Sequence, residues 1–151
     1  MTSLGFEILD RHVVEGRGDD VACTDETGSM TYSKLLERAA EFGGGLHLLG
    51  VRPNDHVEID LPAENLLVAV VCAVIRIGAI PAAHGTTRIF VRDGEAWVHR
   101  DEQDHELDLI RRAGRGQPAP ALRFDAPGFG DAASNAFEDI VESLLSGSPV
   151  V

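Results

Sequence analysis

The first half of the chain alternates between stretches whose hydrophobic residues recur at helical spacing and short stretches typical of strands. The predicted elements are a helix over 6–13, a hairpin over 21–32, a helix over 32–49, a strand over 56–61, a helix over 66–77 and a strand over 80–83. This alternation predicts an α/β fold: a three-layer-like open sheet, largely parallel, with flanking helices and an added β-hairpin.

Two local signals refine the second of these helices. Thr31 stands where an N-cap belongs, since its hydroxyl can accept a backbone N–H of the first turn. Gly43–Gly45 lie inside the helix and weaken it by about 1 kcal/mol each relative to alanine. We therefore expect a backbone to pass close by and to require the space.

The second half of the chain has a different pattern. Strands on either side of Asp93–Gly94 predict a hairpin in which Phe90 lies opposite Trp97. Asp101 is expected to cap a short helix that extends to residue 113. A Gly- and Pro-rich loop over 114–130, with room for a strand at 121–125, and a last amphipathic helix around 137–145 follow. We predict one domain over residues 1–151, in which 84–151 diverges from 1–83.

Composition and charge exclude several classes of function. Acidic residues outnumber basic ones 25 to 13, and the net charge of −12 repels phosphate backbones, so no nucleic-acid partner is expected. The apolar run Leu66–Ile75 is shorter than the roughly 18 residues that span a membrane. No basic leader followed by an apolar core stands at the N-terminus, so secretion is not expected, and Cys23 and Cys72 are expected to be buried, reduced thiols. We therefore expect a cytoplasmic protein without a membrane partner.

Asp60 and His84 are the candidate catalytic residues. Asp60 falls within the strand 56–61, where its carboxylate is either paired, protonated or functional, or faces solvent at the strand end. His84 follows the strand 80–83, at the carboxyl end where open α/β sheets bind ligands, or lies in an ordinary turn.

A cluster of His, Asp and Glu over residues 99–106 contains the residue types of a metal site. Glu102, His105 and Glu106 are expected to share one helical face. Their spacing matches no metal site, so we predict a solvated acidic surface and no bound metal.

Three ordered motifs stand out within residues 8–83: Asp25-Glu-Thr-Gly-Ser-Met-Thr-Tyr, Leu49-Gly-Val-Arg-Pro-Asn-Asp-His-Val and Gly78-Ala-Ile-Pro. Together they resemble the N-terminal subdomain of the adenylate-forming (AMP-binding) superfamily, which includes acyl- and aryl-CoA ligases and peptide-synthetase adenylation domains. Residues 134–149 resemble the helix that precedes the phosphate-binding loop of that superfamily.

The resemblance also implies what these residues lack. The superfamily binds ATP with a Ser/Thr/Gly-rich loop that ends in Pro-Lys-Gly, and the chain is expected to stop where that loop would begin. The one lysine of this chain, Lys34, is expected on the surface of a helix. His84-Gly-Thr-Thr87 is expected to be a plain turn. We therefore expect no cofactor and no adenylation by this chain alone.

Two hypotheses of different classes follow. The first is a stand-alone ligase N-terminal-like protein, catalytically silent, that acts as an interaction or structural subunit. It would be a homodimer or would complete a partner, because the apolar helix 66–77 and the face that packs on the ligase core need cover. The alternative is a small biosynthetic enzyme, or an acyl- or aryl-ligand-binding protein, with its site near Asp60, His84 and the hairpin that carries Phe90 and Trp97.

Overall fold

The structure, a computed structural model, describes residues 2–151. Its helices are a π-helical turn (Phe6–Asp10) continuing into α1 (Arg11–Val14), then α2 (Tyr32–Leu48), α3 (Asn65–Arg76), α4 (Leu107–Arg115), α5 (Phe129–Ser134), a 3₁₀ turn (Asn135–Phe137) and α6 (Glu138–Ser146). Its strands are β1 (Val21–Asp25), β2 (Gly28–Thr31), β3 (His56–Asp60), β4 (Ile80–Ala82), β5 (Thr87–Arg92), β6 (Glu95–Arg100) and β7 (Gln103–Glu106).

The main sheet has the strand order β4-β3-β5-β6-β7, and β1 pairs with β2 in a separate hairpin. Strand β3 runs parallel to both of its neighbours, whereas β5, β6 and β7 form an antiparallel meander. The predicted α/β fold with an added hairpin is confirmed. The parallel part is built from the segment whose sequence alternates strand and helix, as crossover connections require.

The hairpin β5–β6 turns at Asp93 and Gly94, which both have positive φ angles, of 53° and 79°. Such angles suit the two-residue turns whose twist matches that of the strands. Phe90 pairs with Trp97 and Ile89 with Val98, which confirms the predicted register.

Alternation along the strands divides the main sheet into two faces. Val57, Ile59, Ile89 and Val98 are buried on the inner face, which α3 and α4 cover. The opposite side, called the outer face below, carries the alternate residues of the same strands. These are His56, Glu58, Asp60, Arg88, Phe90, Arg92, Glu95, Trp97, His99, Asp104 and Glu106.

Helix α3 is the centre of the core, and every residue from Leu67 to Arg76 is buried. It contacts α2, β1, β3 and β4, so the chain itself covers it on several sides. The buried guanidinium of Arg76 pairs with Asp10 at 2.6 Å and donates to the carbonyl of Ala119. The expectation that this helix needs cover from another molecule is therefore wrong.

Helices α2 and α4 cross with their backbones in contact. A Cβ on Gly45 would overlap the carbonyl oxygen of Ile110, and one on Gly114 would overlap that of Glu41. The expected close neighbour of the helical glycines is thus α4, and Gly114 belongs to that helix rather than to the loop predicted from 114 onward. Thr31 caps α2 as predicted, because its hydroxyl accepts the N–H of Lys34 at 3.2 Å.

Residues 101–106 depart from the sequence prediction. Asp101 and Glu102 both have positive φ and form the turn between β6 and β7, so Asp101 caps no helix. Helix α4 begins only at Leu107, and 121–125 form no strand. The sequence pattern misses this turn because it contains no glycine and because Glu102, unlike glycine, asparagine or aspartate, does not favour positive φ.

The Asp25 carboxylate joins the β1–β2 turn to the start of α3. It accepts the backbone N–H groups of Thr27 and Asn65, both at 2.8 Å, and the hydroxyl of Thr27. Hydrogen bonding, above all from the Thr27 hydroxyl, lowers the pKa of Asp25 below its ordinary value. The carboxylate therefore occupies the N-terminus of α3, where a negative charge is favourable.

Replacing Gly45 with alanine tests the helix crossing. We expect Gly45→Ala to lower the free energy of unfolding by about 1–3 kcal/mol or more, because the added methyl group forces the α4 backbone away. Gly130→Ala is the matched control, since that glycine lies in α5 with no atom near its would-be Cβ. It should be neutral or gain up to about 1 kcal/mol in urea unfolding. Equal stability of the two variants would contradict the close crossing.

The Asp25 cap predicts a specific dependence on acid. Because the folded-state pKa is lowered, the cap stabilises the fold above the ordinary pKa of about 3.9, and this contribution is lost as the pH falls through the lowered value. Asp25→Asn should therefore be less stable than the parent at pH 7, with the difference shrinking toward pH 2. Urea unfolding at both pH values measures it, with exposed Asp19→Asn as control. A difference independent of pH would refute the assignment.

Candidate functional site

Arginine and aromatic side chains form a continuous layer on the outer face. The guanidinium of Arg88 lies 4.6 Å from the ring centre of Phe90 and pairs with Glu58 at 3.2 Å. That of Arg92 lies 4.6 Å from the ring of Trp97. Phe90 lies on the outer face but is only 9% exposed. The guanidinium groups of Arg88 and Arg92 lie over its ring. Such cation–π contacts hold both the charge and the ring in place.

The layer continues onto β7 through Asp104. This carboxylate pairs with Arg92 at 2.9 Å and with His99 Nδ1 at 2.7 Å. The hydrogen bond from His99, followed by that from Arg92, lowers the pKa of Asp104. The outer face is therefore linked by side-chain contacts from β3 to β7.

Asp60 and His84 both border the outer face. Asp60 is exposed and pairs in register with Phe90, so its carboxylate faces solvent at the strand end. The His84 side chain is 97% exposed, and its Nδ1 lies 3.9 Å from the Glu58 carboxylate. The structure thus brings both candidates to the side of the sheet that carries Phe90 and Trp97. Their catalytic role stays a prediction.

The cluster over residues 99–106 is arranged differently from the expectation. Glu102 lies in a turn, while His105 and Glu106 are neighbours on β7, so their side chains point to opposite faces. The shared helical face predicted for these three residues is wrong, since the helix begins after them. Within residues 2–151, no three His, Cys, Asp or Glu side chains are grouped so as to hold a metal ion.

The remaining sequence candidates have structural surroundings. Lys34 is 45% exposed at the start of α2 and lies 3.4 Å from Glu37. Thr87 begins β5 directly after residues 84–86, is buried and accepts a hydrogen bond from Arg100 at 2.7 Å. Both thiols are free and buried; burial raises the pKa of Cys23 to about 11, and that of Cys72 further. Thiols in this state are poor nucleophiles.

One cavity was not foreseen from the sequence. It holds about 190 Å³ between β1, the start of α3, α6 and the segment after α6. Among its lining residues are Cys23, Asn65, Asp139 and Val150. The strand-like pairing of Val150 with β1 closes one side, through N–H···O bonds of 2.9 and 3.0 Å. Its walls come from three distant parts of the chain, which no local pattern could bring together.

None of the helices within residues 2–151 is long and apolar enough to cross a membrane.

Comparison with known proteins gives consistent results. The model of the AMP-binding enzyme family matches residues 10–87. Acetyl-coenzyme A synthetase of Thiobacillus denitrificans is 35% identical in an alignment 159 residues long, gaps included, that covers 98% of this chain and 23% of that protein. Triostin synthetase I of Streptomyces triostinicus is 44% identical over 63 residues, covering 42% of this chain and 12% of that protein.

A solved structure shares the fold. The benzoate CoA ligase of Burkholderia xenovorans LB400 superimposes with a TM-score of 0.58 over 82% of this chain and 30% of that one, at 17% identity. The chain spans less than a quarter of the length of the two relatives above, at 23% and 12%. Because the family model spans more than half of its residues, from the π-helical turn to the start of β5, the chain belongs to the AMP-binding enzyme family.

Proposed function

We propose that this chain is a protein-interaction and structural subunit that completes an AMP-binding enzyme and does not adenylate a substrate by itself. The observation that carries the proposal is the outer face, where Arg88 and Arg92 on β5 are exposed and Trp97 on β6 is partly exposed. The apolar residues of α3, by contrast, are already covered within the chain.

The composition of the outer face suits a protein interface. Tryptophan and arginine are the side chains that most often dominate binding energy at such surfaces. Trp97 is partly exposed, and its indole Nε1 is buried without a hydrogen-bond partner among the described residues.

The relatives suggest what the partner is. In acetyl-coenzyme A synthetase of T. denitrificans, the matching segment is 23% of a much longer chain. We infer that the partner corresponds to the rest of such an enzyme and supplies the ATP-binding groups. These 151 residues contain one lysine, Lys34, which is engaged on the surface of α2, so a phosphate-binding lysine has to come from elsewhere.

A second candidate function uses the same face. The outer face carries the two candidate catalytic residues, Asp60 and His84, on the same side as Phe90 and Trp97. In this alternative, an acyl or aryl ligand binds on that side of the sheet, within reach of both residues. An aryl ligand stacked there would quench the fluorescence of Trp97, the single tryptophan. If the Asp60→Asn and His84→Asn variants no longer form product from the acyl or aryl substrate, this alternative function is favoured over the role as a subunit.

The first test is ATP–pyrophosphate exchange with acetate or benzoate as the acid. The purified chain should show background exchange. Co-expression with the T. denitrificans enzyme lacking its matching segment should raise exchange above the level of that truncated enzyme alone. Exchange by the chain on its own would overturn the proposal.

The second test separates the outer face from the rest of the surface. Trp97→Ala should abolish the gain in exchange, because it removes the aromatic centre of the outer face. Phe124→Ala is the matched control: Phe124 is also an exposed aromatic residue, in the loop before α5, and its removal should leave the gain intact. Equal effects of the two substitutions would exclude the outer face as the interface.

A further inference from the structure

The main sheet has two edge strands, and they differ in how well they are covered. Helix α5 and the 3₁₀ turn pack against β4, and Pro81 in that strand has no backbone N–H to offer. At the other edge β7 pairs with β6, and within residues 2–151 no strand pairs with its opposite side, called the free edge below. An uncovered edge can accept an extended segment of another protein as an added strand.

The turn between β6 and β7 determines the hydrogen-bond pattern of β7. Asp101 and Glu102 form a two-residue turn with φ angles of 52° and 63°, as a type I′ turn requires. The pair that closes such a turn, here Arg100 and Gln103, is hydrogen-bonded, and every second pair along an antiparallel ladder repeats that pattern. The backbone groups of Gln103 and His105 therefore point toward β6.

The backbone groups of Asp104 and Glu106 consequently point toward the free edge. The carbonyl of Glu106 stands at the N-cap of α4, where it accepts the first helical N–H. The N–H and C=O of Asp104 and the N–H of Glu106 remain, and no backbone group elsewhere in residues 2–151 hydrogen-bonds to them. One residue of an incoming strand can exchange two hydrogen bonds with Asp104, and another can accept the N–H of Glu106.

Negative charge surrounds the free edge. Residues 101–108 contain five carboxylates and neither lysine nor arginine. Arginines of β5 and α4 pair with two of the five, those of Asp104 and Asp108. Glu106 forms no ion pair within residues 2–151, and it lines an open depression together with Glu95. A cation brought to this edge therefore has carboxylates to pair with.

These charges decide between two kinds of incoming strand. Antiparallel pairing with β7 of a second copy would place Asp104 and Glu106 opposite the same carboxylates, and like charges directly opposite each other are destabilising. Alternate residues of a strand share a face, so every second side chain of an incoming strand lies beside these two carboxylates. A strand with lysine or arginine at those positions is attracted to the edge.

We propose that the free edge of β7 binds an extended, lysine- or arginine-rich segment of another protein as an added antiparallel strand. The segment hydrogen-bonds to the backbone of Asp104 and Glu106, and its basic side chains lie beside their carboxylates. This inference does not rest on the function proposed above, because strand addition requires no AMP-binding partner.

A peptide titration of the intact, ¹⁵N-labelled chain at low salt tests the proposal by NMR. The peptide acetyl-Lys-Val-Lys-Val-Lys-amide should give saturable shifts of the Asp104 and Glu106 backbone amides and should slow their hydrogen exchange. Acetyl-Glu-Val-Glu-Val-Glu-amide should do neither. Equal responses to the two peptides would overturn the proposal. So would the same shifts on concentrating the chain without peptide, because they would show that a second copy occupies the edge.

Two substitutions at Glu106 separate its N–H from its charge. Glu106→Gln keeps the N–H and should weaken binding of the basic peptide about two- to fivefold, as expected for one exposed ion pair. Glu106→Pro suits the φ of −63° at this position, removes the N–H and puts the proline ring at the free edge. It should bind at least about tenfold more weakly than Glu106→Gln, because the incoming strand loses a hydrogen bond and meets the ring.

The control variant is Glu142→Gln, which removes an exposed carboxylate from α6 and should leave the affinity for the basic peptide unchanged. Amide spectra of the free variants, with unchanged dispersion outside β7, check that each one is folded. Equal affinities of Glu106→Pro and Glu106→Gln would exclude backbone pairing at β7, and equal affinities of Glu106→Gln and Glu142→Gln would exclude the role of charge.

Discussion

Helices α2 and α4 meet backbone to backbone, and the arrangement of the inner layer depends on this contact. Glycines on both helices leave room for carbonyl oxygens of the other helix, so the two axes approach more closely than side chains would permit. Glu41 adds a charged clamp at the crossing. It is buried on α2 and pairs with Arg111 at 3.1 Å and Arg115 at 3.2 Å, both on α4. A buried carboxylate without such partners would be strongly destabilising, so the clamp and the crossing depend on each other.

The crossing links the two halves of the chain. Helix α2 belongs to the segment that the AMP-binding family model matches, whereas α4 follows β7, beyond that segment. Because α4 also packs on β6 and β7, its crossing with α2 connects the helices on the inner face to the meander. The outer face then carries the arginine and aromatic layer, which is the surface that we propose for contact with another protein. Because α3 and α4 cover the inner face, we place the contact with a partner on the outer face of the sheet.

Sequence patterns were informative where local geometry decides the structure. The Thr31 cap, the Asp93–Gly94 turn and the buried helix α3 were all predictable, because each follows from residue type or periodicity. The turn at Asp101 was not, because two acidic residues adopt positive φ there without the usual glycine. The sequence therefore predicts a helix where the structure has strand β7.

Features of the candidate site were less predictable than the fold. Asp60 had two open interpretations in sequence, and only its position at the end of β3 shows that it faces solvent. Stacking of Arg92 on Trp97 depends on strand pairing, and the cavity at Asn65 depends on the return of Val150 to β1. Such contacts join residues far apart in sequence, so they arise only from the tertiary structure.

The claim that the chain completes a larger AMP-binding enzyme is tested most directly by the mass of the assembly in solution. Light scattering on the chain, co-expressed and purified with the T. denitrificans synthetase lacking its matching segment, should give the mass of a one-to-one complex. Two separate species with the masses of the individual chains, or a homodimer of the chain beside a free truncated synthetase, would contradict the account.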